Sequence, residues 1–513
     1  MNFHSIFIGQ LSASFELSND EVYFSKSKYD VFVNGEKRLE DVTTNVFSIY
    51  GLEPDKEYIV SIDKDEVGIH TKKASMIAHL KDFRNPSKSV DDTLMFQSAI
   101  SVIPADSVLY VDKGEYHITS LFLKSDMTLY LEKGATVYGN TDVDAYPLLP
   151  GELPFSDKSE KEAQILSWEG NPFEGKTSVI NGFYVENVQI CGEGTIDGQA
   201  QLSDFWKDVK HLKWGRPRII FFNHSENIVV QGVSVKNTPC WTIHPYFSDH
   251  LGFYDIKVSN PKDAPNTDGM DPECCSDVKI IGVYFSVGDD CIALKSGKIY
   301  IGQKYKTPTE DAVIRNCYMH EGHGAIVLGS EIGAGLKDIT VEKCYFEHTD
   351  RGLRIKTRRG RGRDSVIDGV IFKDIVMDHV LTPLVMNMFY FCDPDGKTEY
   401  VYTKDRLPID ERTPYLGNFI FENIKATNAE YALGWFYGLP EMPIKSVTIK
   451  NSSFTIKSDA EKGMPAMMSY IEAQSKTGFC FFNVENVILD HVTASGYLGE
   501  EVITENVGSL KVI

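Results

Sequence analysis

The sequence predicts an all-β protein, a right-handed parallel β-helix preceded by a small N-terminal β-sandwich. Three observations predict it. From about residue 105 onward, short β-rich pieces recur about 25–35 residues apart, a period that indicates a solenoid. Within each piece apolar and polar residues alternate with the period of two that a half-buried strand requires. No helix-length apolar pattern separates the pieces, which counts against helices layered on a sheet. The handedness follows the general preference of parallel crossovers.

Residues 1–75 are assigned to the sandwich and 76–513 to the solenoid. In the first unit, Glu21-Val22-Tyr23-Phe24 and Tyr29-Asp30-Val31-Phe32-Val33 lead into Asn34-Gly35, the residue pair of a tight hairpin. Leu52-Glu53-Pro54 then precedes Tyr58 and a strand, and this run resembles the tyrosine corner of fibronectin type III domains. No cluster of reactive side chains accompanies it, so a spacer module is expected, or a unit that helps shape a cleft. Next comes a short helix capped by Asp91 or Asp92, with Leu94, Met95, Ala99, Ile100 and Val102 as its apolar face. It is placed to close one end of the larger body.

The solenoid pieces share a form. Glu186-Asn187-Val188, Glu226-Asn227-Ile228, Ser276-Asp277-Val278, Lys337-Asp338-Ile339 and Glu485-Asn486-Val487 each open a strand with a polar pair. Asn, Asp and Gly punctuate the corners. Successive turns of such a body stack at about the 4.8 Å strand spacing, so residues one turn apart become neighbours on one face.

Four short motifs fall at such intervals. Asn266-Thr267-Asp268-Gly269 is followed by Gly288-Asp289-Asp290, then by Gly322-His323-Gly324 and by Arg354-Ile355-Lys356. Asp268 precedes Asp289 by 21 residues, Asp290 precedes His323 by 33, and His323 precedes Arg354 by 31. Taken singly, each reads as a turn or loop. Stacked, they bring carboxylates together. Inverting glycoside hydrolysis needs an acid and a base roughly 6.5–9.5 Å apart, and adjacent turns are expected to supply that spacing. Crowded carboxylates also repel, which keeps one protonated. Asp289 and Asp290 are adjacent, so a regular strand would send them to opposite faces. Both can serve only if the backbone is irregular there, and Gly288 permits that.

The four motifs, in this order, resemble glycoside hydrolase family 28, the polygalacturonases and related pectinases with the pectin lyase-like β-helix. The stretches from Gly192 to Gln199 and Lys295-Ser296-Gly297, and Asp91-Asp92-Thr93 with its helix, resemble bacterial exo-polygalacturonases. The resemblance covers about residues 80–513. It implies metal-free, cofactor-free, inverting hydrolysis of α-1,4-galacturonosidic bonds. It implies Asp289 as general acid, Asp268 and Asp290 as the pair that activates water, and His323 as support for the acid. Arg354 and Lys356 would bind a substrate carboxylate, and Asn266 would help position the substrate site. Tyr390, in Asn387-Met388-Phe389-Tyr390, is separately a candidate sugar-stacking, substrate-binding platform by its place after the basic run.

Composition narrows the partners. The chain carries 52 basic and 73 acidic residues, net −21, the wrong sign for a general nucleic-acid binder. It has no apolar stretch of about 18 residues, so no membrane span is expected. One region reverses the charge: Arg351 to Arg363 holds six Arg and one Lys and no acid. Arg forks match carboxylates, so this run is expected to draw an anionic galacturonate chain or pectin into the groove, the alternative being a solvated basic loop. Nine scattered cysteines without a CxxC pair argue against zinc and for reduced thiols. With no signal-peptide pattern at residues 1–20, a cytoplasmic protein is expected. The sequence carries no signal for oligomeric state.

Exo action is expected from two features. Imported oligogalacturonides are short, and insertions around 142–180 and 392–415, with the extra N-terminal unit, can wall off one end of the groove. Rhamnogalacturonan or xylogalacturonan hydrolysis on the same scaffold is the nearest alternative. A calcium-dependent pectate lyase would leave the Gly-His-Gly and Asp-Asp set unexplained. A non-catalytic carbohydrate-binding solenoid would not need the acid and base.

Overall fold

The computed structural model describes residues 1–83, 91–153, 163–209 and 212–513. At the N-terminus a three-stranded antiparallel sheet (Phe3–Ile8, Ser12–Leu17, Val46–Tyr50) packs on a four-stranded one (Glu36–Thr44, Phe24–Val33, Glu57–Ile62, Asp65–His70). Asn34 and Gly35 both take positive φ, as the hairpin turn demands. Phe15 and Phe47 stack at 5.2 Å in the core, beside Val31, Val60 and Ile62. The Tyr58 hydroxyl accepts from the Glu53 amide at 2.8 Å, holding the turn expected there.

The remainder is a parallel β-helix of three strand ladders. One column of side chains shows its regularity: Val188, Ile228, Leu251, Val278, Ala312, Ile339, Val370, Phe419, Val447 and Val487 are register partners from turn to turn. All are buried, so each turn contributes one apolar residue to a continuous stack. The polar residue before each of the first six is equally regular. Asn187, Asn227, His250, Asp277, Asp311 and Asp338 all adopt left-handed φ at the corner where the chain enters this first face. Asn and Asp tolerate that conformation best among residues with a Cβ, which explains the recurring pair. Asn227 donates to Asn187 Oδ1 at 2.6 Å and Asn187 to Asp126 Oδ1 at 2.7 Å, so the corners ladder as well.

The helix Thr93–Val102 closes the N-terminal end of the stack. It buries Met95, Phe96, Ala99 and Ile100, whereas Leu94 and Val102 are exposed. The expected face is therefore rotated by the substitution of Phe96, whose ring fills the end of the core. Asp92 is the N-cap by position, but it is Asp91 Oδ1 that accepts from the Thr93 amide, at 2.7 Å.

The sandwich docks on the first and second faces. Glu16, almost wholly buried, accepts from both Arg315 Nε (2.7 Å) and Nη2 (2.8 Å) and from Asn316 Nδ2 (2.6 Å). Ser12 donates to Gln231, Phe7 stacks on Tyr254 at 5.6 Å, and Tyr23 meets Tyr318. These contacts lie away from the third face, which carries the motif residues, so they brace the β-helix and do not shape its groove. No helix among the described residues is long and apolar enough to cross a membrane.

The third face runs through Ile220–Asn223, Ile243–Tyr246, Asp290–Leu294, Gly324–Gly329, Arg351–Lys356, Thr382–Asn387 and Ala432–Tyr437. Met270 bridges the gap between Ile243 and Ile292. Thus one column holds Ile292, Ile326, Leu353 and Leu384 in register, and the side chains between them face outward.

Candidate active site

The loop that carries Asp268 is fastened to the turn that carries Asp289. Thr267 Oγ1 donates to Ala264 O at 2.9 Å and accepts from the Gly288 amide at 3.1 Å. A Cβ on Gly288 would fall 2.3 Å from Ala264 O, so only glycine allows this approach. The adjacent aspartates resolve as the glycine suggested. The strand begins at Asp290, and Asp289 lies in the bend before it. Freed from the pleat, the two carboxylates turn to the same side.

Asp268, Asp289 and Asp290 each offer a carboxylate oxygen within 4.8 Å of the other two. This is tighter than the separation expected from the sequence, because all three converge at one corner instead of facing each other across a groove. Asp268 and Asp290 are buried, and Asp289 keeps 22% of its side-chain surface open. His323, one turn on, donates its amide to Asp289 O at 2.9 Å and sets Nδ1 3.3 Å from Asp289 Oδ1. That contact raises the imidazole above its ordinary value.

Arg354 and Lys356 alternate on one strand and point the same way. Both reach Asp290: Arg354 Nη1 to Oδ1 at 2.9 Å and Lys356 Nζ to Oδ2 at 2.6 Å. Burial works against the Asp290 anion, but these two cations outweigh it and hold its carboxyl far below the usual range. Asp268 goes the other way. Burial, then the charges of Asp271 and Asp289, hold it well above. Three carboxyls this close cannot all ionise, so the cluster keeps a proton while Asp290 stays an anion.

Tyr390 is buried beside this pair, with Lys356 Nζ 5.7 Å from its ring centre, and lines a cavity with His323, Arg354 and Lys356. Asn266 takes left-handed φ, and its Oδ1 accepts from Arg216 Nη2 at 2.6 Å. Arg216 also donates to Pro239 O and Pro265 O, both at 2.8 Å, so in this structure Asn266 belongs to the scaffold of the Asp268 loop.

The basic run is neither a solvated loop nor a row of open carboxylate forks. Arg358, Arg359 and Arg361 are buried. Arg358 pairs with Asp393 and Asp395, Arg359 with Glu441, and Arg361 with Asp393. Arg359 also donates to Thr403 O and Asp405 O. Beyond Lys356 the run therefore clamps the 392–415 insertion onto the β-helix.

Sequence reasoning missed a second charged cluster beside the first. Lys295 Nζ lies 3.0 Å from Glu331 and 3.5 Å from Asp271, and 4.6 Å from the ring centre of Trp241. Buried His244 meets Glu273 at 3.0 Å. Only the Lys-Ser-Gly motif and Asp271, two residues beyond Gly269, marked this cluster, because its members come from four separate turns. Burial pushes Asp271 and Glu273 up to about 7. Each thus holds its proton in the fold at a pH where the unfolded chain, with carboxyls near about 4, has lost it. Their stabilising contribution is complete below about pH 4 and is lost as pH rises through about 7. Asp290 and Glu331 have the opposite sign, both held low by cations that outweigh burial, Glu331 to about 2. Their contribution is lost as pH falls below about 4. Thermal unfolding of the free protein is therefore expected to peak near about pH 4–5 and to decline towards pH 7. Asp271→Asn flattens that decline. A midpoint that rises from pH 5 to 7 would contradict the assignment.

The profile of the family described as Glycosyl hydrolases family 28 matches residues 155–404. A probable polygalacturonase of Vitis vinifera is 28% identical over 78% of this chain and 82% of its own length. An endo-polygalacturonase of Pectobacterium carotovorum is 31% identical over 53% of this chain, and the match spans 64% of that relative. The solved structure of a family 28 exopolygalacturonase from Yersinia enterocolitica superposes with a TM-score of 0.74 over 99% of this chain and 97% of its own, at 19% identity, which establishes the shared β-helix fold. With the motifs in order and their side chains gathered on one face, the chain is similar to glycoside hydrolase family 28 over residues 155–404.

Proposed function

We propose that the protein is an exo-acting polygalacturonase that hydrolyses α-1,4-galacturonosidic bonds in oligogalacturonides and polygalacturonate with inversion. The carrying observation is the division of labour among three carboxyls. Asp289 is the most open of them and lies against His323. It protonates the glycosidic oxygen, and the raised imidazole steadies it. Asp290 is an anion whose two oxygens are both engaged by Arg354 and Lys356. So bound and buried, it cannot advance on an anomeric carbon as a nucleophile. It acts as the base that takes the proton of an attacking water placed beside Asp268, and water as the nucleophile is what inversion requires. Lys356 and Arg354 also offer N–H groups and charge to a galacturonate carboxylate over the cluster.

Exo action is supported by a wall on the Asp268 side of the groove. The hairpin Ser167–Trp168 and Asn171–Pro172 crosses the third face there. Trp168 stacks on Trp241 at 5.1 Å, Ser167 donates to Glu273 at 3.0 Å, and Gly170 O accepts from the Lys298 amide at 2.8 Å. This hairpin belongs to the 142–180 insertion, of which residues 154–162 lie outside the described residues. A chain entering the groove meets the hairpin that carries Trp168 where an endo-acting groove would continue.

The test is a time course on tri- and tetragalacturonate with a chelator present, resolving products by chromatography and anomeric form by NMR. Saturated monogalacturonate of inverted configuration is expected from the start. Early mixed oligomers would reject exo action, and an unsaturated, chelator-sensitive product would indicate a lyase. No cleavage at all would move the substrate to a rhamnose- or xylose-bearing galacturonan.

A further inference from the structure

The other end of the groove is closed too, by a segment that no motif marks. Residues 457–476 leave the β-helix after the strand Ile444–Ile456, fold back across the third face, and rejoin it at Thr477. The neck is pinned by paired backbone bonds between Gly463 and Gln474, at 2.9 and 2.7 Å. The tip is pinned three turns away. Arg351 Nε donates to Pro465 O at 2.8 Å, and its Nη2 reaches Met464 O. Asn387 Nδ2 donates to Met467 O at 3.0 Å, and Met468 bridges Tyr390. Arg351 has no carboxylate partner among the described residues. Its charged fork is spent on backbone carbonyls, which is a placement device and not an ion pair.

This strap roofs a cavity of about 260 Å³ lined by His323, Arg354, Lys356, Asn387, Tyr390 and Met467. Arg354 Nη2 stands 2.7 Å from Met467 Sδ. If Asp289 with His323 serves the departing oxygen and Asp268 with Asp290 serves the water, this cavity receives the leaving sugar. It is smaller than the roughly 300 Å³ at which pockets for drug-sized ligands begin, so it holds about one sugar ring. A longer leaving chain must turn out of the groove at residues 464–468, so its sugars beyond the first gain no contact there.

Resting on the polygalacturonase reading above, we infer that the 457–476 strap limits binding on the leaving side to a single galacturonate, so that the shortest oligogalacturonides are cleaved at least as well as long chains. Arg351 is the positioning residue and Met467 the residue that sets the limit.

The experiment measures kcat/KM on di-, tri-, tetra- and octagalacturonate for the wild type, Arg351→Gln and Met467→Gly. The wild type is expected to gain nothing beyond the shortest cleavable chains. Either substitution is expected to raise the octamer-to-dimer ratio about tenfold, the value of roughly one further charged hydrogen-bonded contact. A loss of stability alone would lower all four rates and leave the ratio unmoved. An unchanged ratio in both variants, or a wild-type rate that climbs steadily to the octamer, overturns the strap while leaving the polygalacturonase reading intact. No cleavage of any galacturonide by the wild type overturns that reading, and this inference with it.

Discussion

Asp289→Asn is expected to lower kcat about 10²–10⁴-fold with little change in KM, because the amide keeps the shape of the side chain but has no acidic proton to give. The backbone bond from the His323 amide to residue 289 survives the change, so the corner that gathers the three carboxyls stays formed. Three carboxyls within 4.8 Å share a proton, so the loss of rate alone would not say which one delivers it. A substrate with a leaving group that needs no protonation separates the roles. A nitrophenyl galacturonide should recover most of the lost rate in Asp289→Asn and none in Asp290→Asn, whose defect is on the water side. Near-normal kcat in Asp289→Asn on natural oligomers, or equal rescue in both variants, would move the acid to Asp268.

What the sequence discloses and what it conceals divide along sequence distance. The motif residues are legible because a solenoid converts a spacing of about one turn into adjacency, and because alternation on one strand puts Arg354 and Lys356 on the same side. The basic run is misread for the opposite reason. The partners of Arg358, Arg359 and Arg361 lie 32 to 82 residues away, Asp393 on an insertion whose path the repeat does not dictate and Glu441 beyond it. Seen alone, seven cations with no acid suggest an external anion. Seen folded, Arg358, Arg359 and Arg361 have carboxylate partners of their own. The same holds for the strap, where Arg351 meets Pro465 across 114 residues. Carboxylate separation fails at a finer scale. Turn stacking gives the spacing between Cα positions, but the bend at Asp289 and the Thr267 clamp decide where the oxygens go.

Lys356→Met tests whether the cations beside Asp290 act on the base or only on the substrate. Asp290 is buried and remains an anion because two cations outweigh its desolvation, and Lys356, at 2.6 Å, is the closer. Methionine fills a similar volume without the charge. With Arg354 left alone, desolvation regains ground and the Asp290 pKa rises. A single opposite charge at this range is worth about 1–3 pH units, so the acid limb of kcat/KM against pH should move up by about one unit or more. At pH values below that limb the base is protonated, and kcat falls together with kcat/KM. Lys356→Arg should restore the position of the limb while leaving some loss in KM, since a guanidinium supplies the charge with different geometry. If Lys356→Met raises KM but leaves the acid limb where it is in the wild type, Lys356 is a contact to the substrate carboxylate alone, and the anion at Asp290 must be maintained by Arg354. If the limb moves, the Arg-Ile-Lys strand does two jobs from one geometry: it holds the base ionised in the free enzyme and presents the same two cations to a galacturonate when one arrives.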